Sequence, residues 1–207
     1  MKMAYDIGAN TGICTEWFLK HNYDKVISVE PGASDFQYLS KRYCSNDRVI
    51  LLNNALSDRS GVIDFYECSC STLSTADTEW IHSSRFAGQY TWSLTHKNAI
   101  TLDQMFKIYG YPDFLKIDVE GSEYQVIKGM TRKIDCIIGF EWAEEKWEQI
   151  LLTIQYLQKL GYTQFSYTNA DSMDDILTLK YCSWNECEIH NNINPARKRE
   201  WGMIYIK

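Results

Sequence analysis

The feature that most constrains this chain is Asp6-Ile7-Gly8-Ala9-Asn10-Thr11-Gly12, where the apolar run Met3–Ile7 meets the amphipathic stretch Gly12–Lys20. Strand, glycine turn and helix follow one another without spare residues. Glycines at such a junction allow backbone angles that side chains oppose, and they let a ligand approach the chain closely. Glu30 ends the next apolar run, Lys25–Val29, and stands 18 residues beyond Gly12 (30 − 12). A carboxylate at that place can accept both hydroxyl hydrogens of a ribose. Together the two features predict a nucleoside-bearing ligand on an α/β sheet.

Two ligand classes share this geometry. A dinucleotide fingerprint, G-x-G-x-x-G, brings backbone N–H groups and a helix N-terminus to a pyrophosphate. Here Asn10 stands in place of the middle glycine, and the last glycine follows after two residues rather than three. Asp6 adds a negative charge beside the turn, which opposes phosphates. That charge suits the cationic amino-acid end of S-adenosylmethionine (SAM), directly or through water. The bland alternative is a turn that joins strand to helix and holds no ligand.

Apolar runs of strand length alternate with longer amphipathic stretches along the chain, the pattern of a parallel sheet with crossover helices. Strands are expected at Met3–Ile7, Lys25–Val29, Arg48–Leu52, Phe114–Ile117, Ile134–Phe140, Thr163–Tyr167 and Met203–Ile206. Helices are expected at Gly12–Lys20, Ala33–Tyr43, Thr101–Tyr109, Ser122–Gly129 and Ala143–Leu160, the last closed by Gly161. Gly61–Glu67 alternates apolar and polar residues as an antiparallel or edge strand does. Residues 68–98, rich in Ser, Thr and aromatics, lack helical periodicity and read as a variable loop or hairpin over an active site. No linker or repeat interrupts the 207 residues, so a single domain over 1–207 is expected.

The net charge of −6 opposes a phosphate backbone. The one compact basic run, Arg197-Lys198-Arg199, has Glu200 beside it and reads as a solvated loop. Nucleic acid is therefore not the expected partner. No stretch approaches membrane-span length, and MKMAYDIGAN is too short and polar for a secretory segment. Seven cysteines without regular spacing fit free thiols in the cytoplasm. Cys68 with Cys70, and Cys182 with Cys187, lack a matching second pair and are read as idle thiols, not zinc ligands.

Several blocks resemble the FkbM-like methyltransferases, a branch of the SAM-dependent Rossmann-type enzymes. They are DIGANTG (Asp6–Gly12), VEPG (Val29–Gly32), NNALSDRSG (Asn53–Gly61), ITLDQM (Ile100–Met105), DFLKIDVEGSEYQVIKG (Asp113–Gly129) and IIGFE (Ile137–Glu141). They occur in order over about the first two-thirds of the chain, and KIDVEG next to TLD is the most specific. The resemblance implies a doubly wound, mostly parallel seven-strand sheet with helices on both faces and the last strand antiparallel. It also implies methyl transfer from SAM, usually to oxygen. On that basis Asp6, Gly8, Ala9, Asn10 and Gly12 form the SAM loop, and Glu30 with Pro31 borders the ribose. Asn54 and Ala55 then lie against the adenine, and Asp118 near the methionine end.

Methyl transfer to a hydroxyl requires alignment of three atoms, exclusion of water and a proton acceptor. Ligands of open α/β sheets sit beyond the carboxyl ends of the strands. Asp118 follows one such strand and Glu141 another, so the two carboxylates are expected on one rim. Asp118 is the first candidate for general base or acceptor orientation, and Glu141 the second. Carboxylates suit magnesium, but two ligands do not make a site, and no metal is expected. Glu120 and Glu123 are read as a helix N-terminus favoured by the macrodipole. His96 is read as an exposed loop histidine. Trp80, Tyr90 and Trp92 either stack on an acceptor or pack the insertion. Thr11 and Thr15 are read as capping or packing residues. The expected acceptor is a small molecule or saccharide. The rivals are an NAD(P)-dependent oxidoreductase and a non-catalytic SAM- or nucleoside-binding module.

Overall fold

The computed structural model describes residues 1–169, 173–187, 189 and 200–207. In chain order, β1 (Met3–Ile7), α1 (Ile13–Lys20), β2 (Lys25–Val29), α2 (Ala33–Tyr43) and β3 (Val49–Leu52) form the first half of the main sheet. Then come β4 (Ala55–Leu56), β5 (Gly61–Cys68), α3 (Thr78–Ser83) and β6 (Trp92–Ile100). The second half holds α4 (Leu102–Tyr109), β7 (Phe114–Ile117), α5 (Glu123–Lys128), β8 (Ile137–Ala143), α6 (Trp147–Leu160), β9 (Phe165–Asn169) and β10 (Trp201–Ile206).

The main sheet has the order β3-β2-β1-β7-β8-β10-β9. β10 is antiparallel to both of its neighbours, while β1, β2, β3, β7 and β8 pair in parallel. β1 has β2 on one side and β7 on the other, so the chain's winding reverses there. Such a reversal splays the loops apart at the strands' carboxyl ends and opens a crevice. Side chains alternate across β1: Tyr5 and Ile7 join α4, α5 and α6 in the larger core, whereas Ala4 packs with Cys14 and Phe18 of α1. Leu39 and Tyr43 of α2 pack with Ala9.

Local sequence sets several boundaries. Thr101 and Gln104 form a reciprocal capping box at the start of α4. Gly161 takes the left-handed C-cap conformation that ends α6.

Three expectations need correction. The strand expected at Ile134–Phe140 runs from Ile137 to Ala143, so Glu141 lies within β8 and not after it. Trp142 and Ala143 pair with Gly202 and Trp201 of β10, and this pairing holds them extended. The helix expected from Ala143 begins only at Trp147, after a 3-10 turn over Glu144–Lys146. The segment 68–98 is not simply loop: it contains α3 and most of β6, which pairs antiparallel with all of β5. β6 is largely exposed, so its sequence carries little apolar alternation. β4 pairs in parallel with β6, completing a small three-stranded sheet. The basic run Arg197–Arg199 lies outside the described residues.

Candidate active-site cleft

A cleft of about 400 Å³ opens at the carboxyl ends of β1, β2, β7 and β8, within the size range of small-molecule sites. Gly8, Ala9, Asn10, Glu30, Pro31, Asn54 and Ala55 line one half. Lys116, Asp118, Glu120 and Glu141 line the other, beneath a roof that includes Ser71–Ser74, Trp80, Arg85 and Phe86. Asp6 and Gly12 stand behind this wall. Asp6 is fully buried and accepts a hydrogen bond from Thr15 Oγ1 (2.6 Å), while Gly12 packs against Leu39 and Tyr43. They support the turn from beneath.

The turn is closed on itself. Gly8 N–H and Ala9 N–H donate to the Val29 carbonyl, and Gly12 N–H to the Ala9 carbonyl. Asn10 N–H donates to Glu30 Oε2 (2.8 Å). These groups are committed within the protein, whereas a pyrophosphate site needs them free. Gly8 has φ +74°, and a Cβ there would overlap the Asp118 carbonyl oxygen. The absence of a side chain is what lets the turn lie against the end of β7.

Glu30 is held at both oxygens, since Gly32 N–H donates to Oε1 (2.6 Å) and Asn10 N–H to Oε2. Burial pushes its carboxyl up to about 7, against the lowering effect of those two bonds. Each oxygen keeps a lone pair for a hydroxyl hydrogen. The residues therefore fit the ribose of SAM, and the committed turn and acidic lining fit its cationic end better than they fit phosphates.

Three carboxylates meet in the other half. Asp118, Glu120 and Glu141 offer oxygens that all lie within 4.8 Å of one another. This corrects the reading of Glu120, which faces the cleft, with φ +55°, and does not simply decorate a helix start. Burial, and then the Asp118 charge, raise its carboxyl well above the usual range. With Glu120 as a third oxygen donor the trio has the chemistry to ligate a hard divalent cation, which two carboxylates alone lacked. Glu123 serves the loop: its Oε1 accepts Val119 N–H (2.9 Å) and Gly121 N–H (3.3 Å).

Lys116 was not singled out by the sequence, although a lysine inside the apolar strand Phe114–Ile117 is itself a signal. It is 3% exposed. Its Nζ donates to the Gly8 carbonyl (2.8 Å) and lies 3.4 Å from both Asp6 Oδ1 and Asp118 Oδ2. Lys116 thus ties the turn after β1 to the carboxylate after β7.

Among the other candidates, Trp80 lines the cleft and Thr11 sits at its edge. Thr15 is buried under it, bonded to Asp6 and Ser28. His96 is exposed and pairs with Asp64 at 3.1 Å on the small sheet. Tyr90 and Trp92 pack edge-to-face on one another, outside the lining.

The sequence model of a methyltransferase FkbM domain matches residues 6–163, or 158 of the 207 residues (163 − 6 + 1). No curated protein sequence matches the chain. Among solved structures it is similar to fibrillarin from Aeropyrum pernix in complex with natively bound SAM. That match has TM-score 0.50 and 10% identity, and covers 100% of this chain and 66% of the other. It is also similar to precorrin-6y C5,15-methyltransferase from Geobacter metallireducens, with TM-score 0.49 and 10% identity, covering 100% and 78%. At 10% identity the likeness to fibrillarin is one of fold.

Proposed function

The chain belongs to the FkbM family of SAM-dependent methyltransferases, and on that premise we propose that it methylates a hydroxyl oxygen of a small polyhydroxyl compound such as a saccharide. When bound, SAM supplies a sulfonium-activated methyl group. Glu30 would hold the ribose hydroxyls with Pro31 beside it, Asn54 and Ala55 the adenine, and the turn Gly8–Asn10 with Asp118 the methionine end. Asp6 and Gly12 act on the ligand only through the turn they support.

The observation that carries this reading is the convergence of Asp118, Glu120 and Glu141 opposite the Glu30 half of one cleft. Asp118 takes the proton of the acceptor hydroxyl, and Lys116 fixes its carboxylate from below. Glu141 orients the acceptor. The roof over the carboxylates keeps water from competing for the transfer. Seven cysteines, none of them in a disulfide, suit a reducing compartment, and we place the protein in the cytoplasm. No helix of the described residues is long and apolar enough to cross a membrane.

The test is transfer of radiolabelled methyl from SAM to an acceptor panel led by saccharides. Label in a saccharide is the expected result, and label confined to protein or RNA would refute the acceptor class. D118N should lower turnover by about 10²–10⁴-fold, the usual size of a general-base contribution, with much less effect on S-adenosylhomocysteine affinity. Normal turnover in D118N would remove Asp118 from the role. Titration with NAD should show no binding.

A further inference from the structure

We propose that Trp201 is an acceptor-binding residue whose exposed indole surface takes an apolar group carried by the acceptor, so that the substrate is a polyol joined to such a group and not a free sugar. The inference rests on the methyl-transfer reading of the cleft and narrows its acceptor class.

Strand alternation decides which way Trp201 points. Along β8, Ile138, Phe140 and Trp142 turn into the larger core, so Glu141 and Ala143 turn to the opposite face of the sheet. Directly opposed residues of an antiparallel pair share a face. Trp201 opposes Ala143, and Met203 opposes Glu141. Met203 packs with Ala4, Cys14 and Phe18, so this is the face that α1 covers. Trp201 therefore stands on the side from which Glu141 enters the cleft, next in the row beyond it, and its side chain is part of the cleft lining.

The backbone that carries it is held in place. The Glu200 carbonyl accepts from Glu144 N–H (3.1 Å) and from Arg85 Nη2 (3.0 Å), and Glu200 N–H donates to Glu144 Oε2 (3.2 Å). Arg85 in turn grips Glu145 at 2.9 and 2.6 Å. The residue before Trp201 is thus pinned both to the roof and to the end of β8. The tryptophan nonetheless remains 37% exposed. A large apolar side chain fixed in a concave site with that much surface in water offers area for a ligand to cover.

The neighbouring wall is of the same kind. Ile13, at the start of α1, is 73% exposed and lines the cleft. Cys14 and Met173 line it too, and they pack with Met203 in the core behind. Ile13, Cys14, Ala143, Met173 and Trp201 carry no charge, and this side of the cleft has little to offer the hydroxyls of a free sugar. The carboxylates beside it are the reverse, since ionised carboxylates accept hydrogen bonds from hydroxyls. An acceptor that meets both surfaces has hydroxyls at one end and an apolar group at the other.

The test compares phenyl β-glucoside with methyl β-glucoside, by calorimetry on the full chain saturated with S-adenosylhomocysteine. The phenyl compound should bind the wild-type protein more tightly. W201A, checked for cooperative unfolding, should lose about two- to tenfold of that preference, the size of one aromatic contact. A general weakening of the cleft cancels, because only the ratio between the two ligands is read. Independently of W201A, the phenyl compound should shift the isotope-labelled indole resonance of Trp201, identified by its loss in W201F, and the methyl compound should not. Equal binding of the two glucosides, an unchanged ratio in folded W201A, or an unmoved Trp201 resonance overturns the proposal and leaves the methyltransferase reading standing. So does failure of both glucosides to bind protein that holds S-adenosylhomocysteine. Failure to bind S-adenosylhomocysteine itself would overturn that reading, and this proposal with it.

Discussion

Glu30 sits between opposing influences. Burial drives its carboxyl up to about 7, while the N–H groups of Gly32 and Asn10 favour the ionised form. Ribose hydroxyls bind best to the ionised form, which accepts at both oxygens. S-adenosylhomocysteine affinity should therefore weaken as pH falls from 8 to 6, and E30A should lose both that dependence and roughly ten- to a hundredfold in affinity. Calorimetry at the two pH values checks this, and a wild-type pH profile in E30A would refute it. Glu120 carries a different load, a left-handed backbone and a half-buried carboxyl beside Asp118. E120Q removes the like-charge contact and should stabilise the protein at pH 8 by roughly 0.5–2 kcal/mol while lowering turnover. Denaturant midpoints would show it, and a loss of stability would contradict it. That Gly8, Glu30 and Asp118 line one cleft was legible, because a turn and two strand ends fix their positions in the linear sequence. Glu120 was not, since a backbone turned left-handed at a non-glycine residue gives no sequence signal. The hidden placement of Asp6 and Gly12 depends on Thr15, Leu39 and Tyr43 packing behind them, which no motif records.

Among elements, α3 depends on ion pairs more than on its own length. Glu145 has a side chain only 1% exposed and pairs with Arg85. R85A strands that carboxylate and should cost about 3 kcal/mol, with faster hydrogen exchange over residues 77–86 than elsewhere. Unchanged exchange there would mean that the clamp is dispensable. The end of β8 shows why boundaries are hard to read. Ala143-Glu144-Glu145-Lys146 has the composition of a helix, but β10, some 60 residues later, holds Ala143 in the sheet by pairing it with Trp201. Tertiary pairing overrides local propensity at such a joint. Most of the other main-sheet strands and their helices obey their local periodicity and start or stop within a few residues of expectation.

At the scale of the whole molecule, alternation of strands and helices predicts a wound sheet, but periodicity alone does not place β10 between β8 and β9. The resemblance implied that the last strand is antiparallel, but its place between β8 and β9 is a property of topology that neither reading supplied. The buried carboxyls also have a collective effect. Glu30 and Glu123 are both pushed up to about 7 in the folded chain, chiefly by burial. Their contribution to stability is complete below the ordinary glutamate range, near pH 4.5, and is lost as pH rises through about 7. Asp58, Glu67, Glu79 and Glu145 are shifted downward, so their effect falls at more acidic pH. The ligand-free protein should consequently melt at a lower temperature at pH 8 than at pH 5.5. Scanning calorimetry checks this, and the opposite order would show that these carboxyls titrate normally. The small sheet has a further consequence. Cys68 and Trp92 are cross-strand partners, so the segment that roofs the carboxylates leaves and re-enters the fold about one strand spacing, ~5 Å, apart. It is a cassette: sequence between these two posts can be exchanged for another of different length without moving either strand. A change of length between them alters the roof over Asp118, Glu120 and Glu141 while the pairing of β5 with β6 stays in register.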